Sequence, residues 1–210
     1  MAMSRKVLVW GLVLLPSLSG SGAAPSAPPP SRKWTGPTFS LPGGGSSRTI
    51  FYYGPWQCRQ EWVDECRSKC GEQGSQFKGC IWLADIKSDV QTRFLGAPVS
   101  AGGRLAIKHC CCDRPVATDQ DKRRSKWENA ADSFRRKWSR EFGDWPREPD
   151  GSNWPGHHIW DIKHGGAPVA EGNVLPVPPD VHKIINTAYL ACYAGKGHWG
   201  QPGPYWPYAD

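Results

Sequence analysis

Apolar residues first form a run from Val7 to Leu18, then thin out and return in short patterned stretches. The run is shorter than the roughly 20 residues a spanning helix needs. Thr49-Ile-Phe-Tyr-Tyr53, ended by Gly54-Pro55, predicts a strand. From Cys58 to Cys70 the pattern turns helical: Trp62, Val63, Cys66 and Cys70 fall on one side, with Gly71 as a stop. Cys80-Ile-Trp-Leu-Ala84 predicts a short strand. Arg104 to His109 predicts another, entered from the Gly102-Gly103 turn and running into Cys110-Cys111-Cys112. Trp127, Ala131, Phe134, Trp138 and Phe142 are spaced 4, 3, 4 and 4, one apolar stripe of a long amphipathic helix over 119–142. Turn residues at Asp144-Trp-Pro146 and Pro149-Asp-Gly151 end it. A strand over Trp154 to Trp160, a long loop through Gly165-Gly166, a short strand at Val174-Leu-Pro-Val177 and a helix from Asp180 to about Tyr193 complete the chain. Pro178-Pro179 and Asp180 suit the start of that helix, and Gly195 its end. The pattern as a whole predicts an α+β protein: a small disulfide-rich N-terminal unit, a long amphipathic helix, and a C-terminal strand–strand–helix module.

The flanks of the first apolar run change its meaning. Arg5-Lys6 precede it, and Ser21-Gly-Ala23 suits a peptidase cut before Ala24, so residues 1–24 read as a secretory signal peptide. The mature chain is expected to be exported, with no stable membrane span after cleavage. Residues 25–47, with Ala-Pro-Pro-Pro and Leu-Pro-Gly-Gly-Gly-Ser-Ser, read as a Pro/Gly-rich linker.

Export also decides how the eight Cys are read, because an even count in an oxidising compartment favours disulfides. Seven fall in a Cys-rich domain over 48–113. Cys66 and Cys70 are four apart and point the same way from a helix, so each can staple to a different segment. Cys110, Cys111 and Cys112 are expected to reach apart, to the earlier four. One Cys is then left over, and Cys192 is its only candidate partner; that bond would tie the two ends of the protein together. The connectivity stays open, and a zinc cluster of Cys66, Cys70, Cys80 and one of the triplet is the alternative.

Charge adds a mild bias. The chain carries a net +7; without Arg5 and Lys6, 24 basic side chains face 19 acidic ones. This suits a nucleic acid or another anionic partner without requiring one. Residues 114–150 hold ten basic and eight acidic side chains, whereas residues 151–210 carry a net −1. The 114–210 segment is therefore read as a basic helix followed by the chemistry-bearing module. Arg135, Arg136, Lys137 and Arg140 are its candidate phosphate contacts.

The chemistry sits in residues 154–192. His157 and His158 are adjacent on a strand and point to opposite sides. Asn173 lies between the strands, and His182 and Asn186 are one helical turn apart. His157, His182 and Asn186 offer neutral nitrogen and oxygen donors with open positions, a set that suits one divalent ion such as Zn²⁺, Mg²⁺, Mn²⁺ or Ni²⁺. His164 and His198 match no part of this spacing.

A His pair, a middle Asn, and a helix with His followed four residues later by His or Asn resembles the HNH, or ββα-metal, endonuclease motif. The register is similar to that of colicin-type DNases. With Tyr189-Leu-Ala-Cys192-Tyr193, the stretch also looks like the C-terminal nuclease domains of secreted bacterial polymorphic toxins. The likeness covers about residues 154–195. It implies that the C-terminal module is a ββα-metal (HNH) nuclease domain hydrolysing DNA phosphodiester bonds. It implies metal ligation by His157, His182 and Asn186, general-base catalysis by His158, and Asn173 orienting His158 through its side-chain amide. It also implies a cognate immunity protein and a receptor on the envelope of a target cell. A different class fits the eight Cys and twelve Trp: a secreted, disulfide-rich binding or adhesion protein with a structural metal site.

Overall fold

The computed structural model describes residues 34–40 and 47–203. The expected signal peptide and most of the linker lie outside the described residues. The first strand, β1 (Trp34–Ser40), falls inside the stretch expected to be linker and pairs antiparallel with β2 (Ser47–Gln57). The register shifts between Thr35 and Thr38, around Gly36-Pro37, so Pro37 sits in an edge strand at an irregularity, where a missing N–H is tolerated. Next come α1 (Gln60–Glu72), β3 (Phe77–Ser88), a hairpin of β4 (Thr92–Phe94) and β5 (Ala97–Val99), and β6 (Arg104–Cys112). The main sheet has the order β1-β2-β3-β6, antiparallel throughout. Then follow α2 (Gln120–Phe142), a small hairpin of β7 (Gly156–His158) and β8 (Val174–Pro176), and α3 (Pro179–Tyr193). The protein is thus α+β, with four disulfides. Among the described residues no helix is long and apolar enough to cross a membrane.

β3 is covered on both faces, and its side chains divide accordingly. Cys80 and Trp82 join Trp62, Val63 and Cys66 in a small core under α1. Ile81, Leu83 and Ile86 join Phe134, Trp138, Val174 and Ile185 in the larger core under α2 and α3. That larger core draws residues from both sides of residue 113, the expected boundary between two domains. The stripe of α2 that the spacing marks is the buried one: Ala131, Phe134, Trp138 and Phe142.

Strand alternation explains the disulfides. β6 runs through Cys112, so Cys110 and Cys112 project to one face and Cys111 to the other. On the first face lie Cys66 and Cys70, one turn apart on α1, and the bonds are Cys66–Cys110 and Cys70–Cys112. Cys58–Cys80 closes the start of α1 onto β3. On the opposite face Cys111 bonds Cys192, at the end of α3. All eight Cys are used, which excludes the thiolate zinc cluster. Gly79 makes room for the last bond: a Cβ there would stand 2.7 Å from the Cys192 sulfur and 2.8 Å from Trp199 Cβ.

Candidate active site

β7 and β8 pair with His157 opposite Leu175 and His158 opposite Val174. Alternation sends the two His to different neighbours. His157 is 2% exposed and faces α3, its ring centre 5.4 Å from that of His182 and 5.0 Å from that of Tyr189. His158 turns toward α2, edge-on to Trp127 at 4.9 Å. Gly156 permits this approach. A Cβ on it would lie 2.7 Å from the Trp127 ring and 2.9 Å from Val174.

On α3, His182, Asn186, Tyr189 and Tyr193 recur at helical spacing and line one cleft of about 760 Å³ together with His157 and His158. The tertiary structure therefore brings together four of the five motif residues. The fifth, Asn173, is buried immediately before β8 and acts elsewhere. Its Oδ1 accepts from the Trp160 backbone N–H at 2.6 Å, and its Nδ2 donates to the carbonyls of Trp160 at 3.0 Å and Ala167 at 2.9 Å. It clamps the loop between β7 and β8. The expected contact from Asn173 to His158 is not made; the Pro168 carbonyl, 2.9 Å from His158 Nε2, takes that place. A carbonyl only accepts, so His158 Nε2 carries the proton and Nδ1 keeps its lone pair.

The cleft has a mixed electrostatic wall. Arg124, Arg135 and Lys163 contribute positive charge, and Glu128 and Asp161 negative charge. Of the four expected phosphate contacts only Arg135 lines it. That guanidinium is held by Asp132 at 2.8 Å and lies over the rings of Trp127 and Trp145. Lys137 pairs with Glu171 at 2.5 Å, and Arg136 and Arg140 are exposed away from the cleft. Lys163, in the loop that Asn173 clamps, carried no signal in a segment of net negative charge. His164 also lines the cleft. It lies 3.3 Å from the Asp161 carboxylate and stacks on Tyr193 at 4.0 Å. Tyr189 and Tyr193 were legible in principle, because the spacing 182, 186, 189, 193 marks one helical face. His198 is exposed against Trp199, away from the cleft.

Comparisons of the chain with protein-family models, with curated proteins and with solved structures return no match.

Burial sets the protonation of the site. It holds His157 well below the ordinary imidazole value, with His182 adding to the effect. It lowers His158, opposed by the hydrogen bond to Pro168, and it lowers His182, helped by His158. All three imidazoles are therefore neutral near pH 7, as a metal ligand or a general base requires. Burial likewise raises the Tyr189 phenol well above its usual value, so it stays protonated. Among the described residues no three His, Cys, Asp or Glu side chains form a candidate metal cluster. The Asn186 amide lines the same cleft as His157 and His182 and is a candidate third donor. Two neutral imidazoles and an amide oxygen on an open cleft are donors that fit a divalent ion with free positions for water and phosphate.

Proposed function

We propose that the protein is an exported, metal-dependent HNH endonuclease that hydrolyses DNA phosphodiester bonds and serves as an antibacterial toxin. One observation carries this reading: a strand–strand–helix unit places His157, His158, His182 and Asn186 around one cleft with Arg124, Arg135 and Lys163 on its rim. The reading is supported by the positions of His157 and His158 on β7 and of His182 and Asn186 on α3. The four disulfides accord with an oxidising, extracytoplasmic setting.

In this reading His157, His182 and Asn186 hold one divalent ion, Mg²⁺, Mn²⁺, Ni²⁺ or Zn²⁺. When bound, the ion supplies charge neutralisation at the scissile phosphate and the leaving oxygen. His158 takes the proton of the attacking water at Nδ1, because Nε2–H is committed to Pro168. Asn173 holds the 160–167 loop, which carries Asp161 and Lys163 of the cleft wall. Arg124, Arg135 and Lys163 receive the flanking phosphates. The producer is protected by an immunity protein, and the target cell supplies the envelope receptor.

The test is plasmid nicking by the mature protein in each of the four ions. Wild type is expected to nick in at least one. His158→Ala should lose about 10²–10⁴-fold, the usual worth of a general base. Equal activity in the two proteins would sink the assignment. Growth arrest on expression of the mature chain in a bacterial cytoplasm, relieved by His182→Ala, separates a toxin from a scavenging nuclease.

A further inference from the structure

His157 has a second neighbour that the motif does not include. Its Nε2 lies 2.8 Å from the Tyr189 hydroxyl, which lies 3.3 Å from the Ile159 carbonyl. His109 reaches the same carbonyl through Nδ1 and stacks on the Tyr189 ring, the centres 4.1 Å apart and the planes 19° from parallel. All three side chains are buried, at 2%, 5% and 3% exposure for His157, Tyr189 and His109. The donors and acceptors of the network are sorted among these groups.

The Ile159 carbonyl only accepts, so His109 carries its proton on Nδ1. Its Nε2 has no partner, as suits a bare lone pair rather than an N–H. When the one hydrogen of the Tyr189 hydroxyl goes to Ile159, the phenol oxygen is left as an acceptor. Toward His157 the phenol oxygen then accepts. The chain runs from His157 Nε2–H to Tyr189, and from Tyr189 O–H to Ile159, with His109 Nδ1–H closing on the same carbonyl.

We propose that Tyr189, seated by His109, is a positioning residue that fixes His157 as its Nε2–H tautomer and leaves Nδ1 as the nitrogen offered to a divalent ion. The inference rests on the reading of His157 as a metal ligand. Imidazole ligands are commonly oriented by a hydrogen bond at their other nitrogen, usually to a carboxylate or a backbone carbonyl; here a phenol serves. His109 belongs to β6 and is flanked by disulfide-bonded Cys110. The Cys-rich segment thus supplies part of the support of the site.

The experiment uses the full mature chain labelled with ¹⁵N-histidine and free of metal, read by two-bond ¹H–¹⁵N correlation near pH 7.5. His157 is expected to show a protonated Nε2 and a bare Nδ1. In Tyr189→Phe, which keeps the ring and its stack, it should become a mixture of tautomers. Zinc affinity, read by titration calorimetry, should fall about 10–100-fold in that variant. A wild-type His157 protonated on Nδ1 overturns the proposal. So does a Phe variant that keeps both the wild-type tautomer and the wild-type affinity. If the variant does not fold, the wild-type spectrum alone decides the tautomer. The expected tautomer with no binding of Zn²⁺, Ni²⁺, Mn²⁺ or Mg²⁺ in either protein would retain the Tyr189 assignment and overturn the metal reading beneath it.

Discussion

Cys111 and Cys192, 81 residues apart in sequence, bond the strand β6 to the last turn of α3. The helix that carries His182 and Asn186 is thereby fixed to the Cys-rich sheet at its far end. Closing so long a loop restricts the unfolded chain strongly. Replacing both residues by Ala is expected to cost about 2–5 kcal/mol, the range seen when native disulfides are removed. Guanidinium unfolding at neutral pH measures it. A double variant as stable as wild type would show that packing of α3 on the sheet suffices.

Asn173 is the clamp of the loop between β7 and β8, through three hydrogen bonds to Trp160 and Ala167. Asn173→Ala leaves a backbone N–H and two carbonyls without these partners. A loss of about 2–4 kcal/mol is expected, from the usual range of about 1–3 for each buried group left unsatisfied. Asn173→Asp should be worse, because a carboxylate oxygen would face two carbonyls. Thermal unfolding of the pair checks the order; an Asp variant more stable than the Ala variant would contradict the clamp.

Acid should destabilise the protein through His109. Burial holds its folded pKa at about 4, below the ordinary 6.5. The hydrogen bond to Ile159 and the charge of Asp161 oppose that shift, while His164 and Arg114 add to it. Tyr189 and Tyr193 pack on the ring as neutral phenols. With the folded pKa depressed, the unfolded chain binds the proton first. The stability is fully present above pH 6.5 and is lost as pH falls from 6.5 toward 4. The difference of 2.5 units corresponds to about 3 kcal/mol as an upper bound. His109→Gln should flatten this part of the stability–pH curve, as measured by urea midpoints from pH 7.5 to 4.5.

Position relative to the cleft should divide the basic residues into two sets. Arg124 and Lys163 line the cleft, whereas Arg136 and Arg140 do not. Arg124→Ala and Lys163→Ala should each weaken DNA binding and reduce the slope of log affinity against log salt by about 0.9, one phosphate contact. Arg136→Ala and Arg140→Ala should leave the slope unchanged. Equal losses in both sets would place the DNA along the outer face of α2 instead.

Gly156 tests the packing that presents the His pair. A Cβ at this position meets the Trp127 ring and Val174. Gly156→Ala should cost about 1–3 kcal/mol, as overpacking does, and should shift the resonances of His158, which lies against the same ring. An Ala variant with wild-type stability would mean that Trp127 is free to move.

The sequence by itself determined the local elements and the candidate chemistry. The stripe from Trp127 to Phe142 has one periodicity and one solution, and α2 follows it. Pro178-Pro179 and Asp180 mark the start of α3, which begins at Pro179. The two strands around the His pair and Val174 are found where apolar residues and turns placed them, though each is shorter. The spacing of His182 and Asn186 needs only a helix to set both on one face. The strand β1 was not legible, because its Pro and Gly argue for a linker until a partner strand is known. The β4–β5 hairpin, three residues in each strand, is too short to show a period.

Only the tertiary structure decided the rest, since it depends on which faces meet. The pairing of Cys110, Cys111 and Cys112 follows from a strand continuing through all three with a helix on each side. Asn173 turned out to hold Trp160 and Ala167 rather than His158, a matter of ångström distances across a folded loop. Lys163 and Arg124, 39 residues apart in sequence, share a cleft wall because α2 packs against the turn at Ile162–His164. His109 reaches Tyr189 because the Cys111–Cys192 bond draws α3 against β6. Local pattern fixes what a segment can present; long-range packing selects the neighbour to which it is presented.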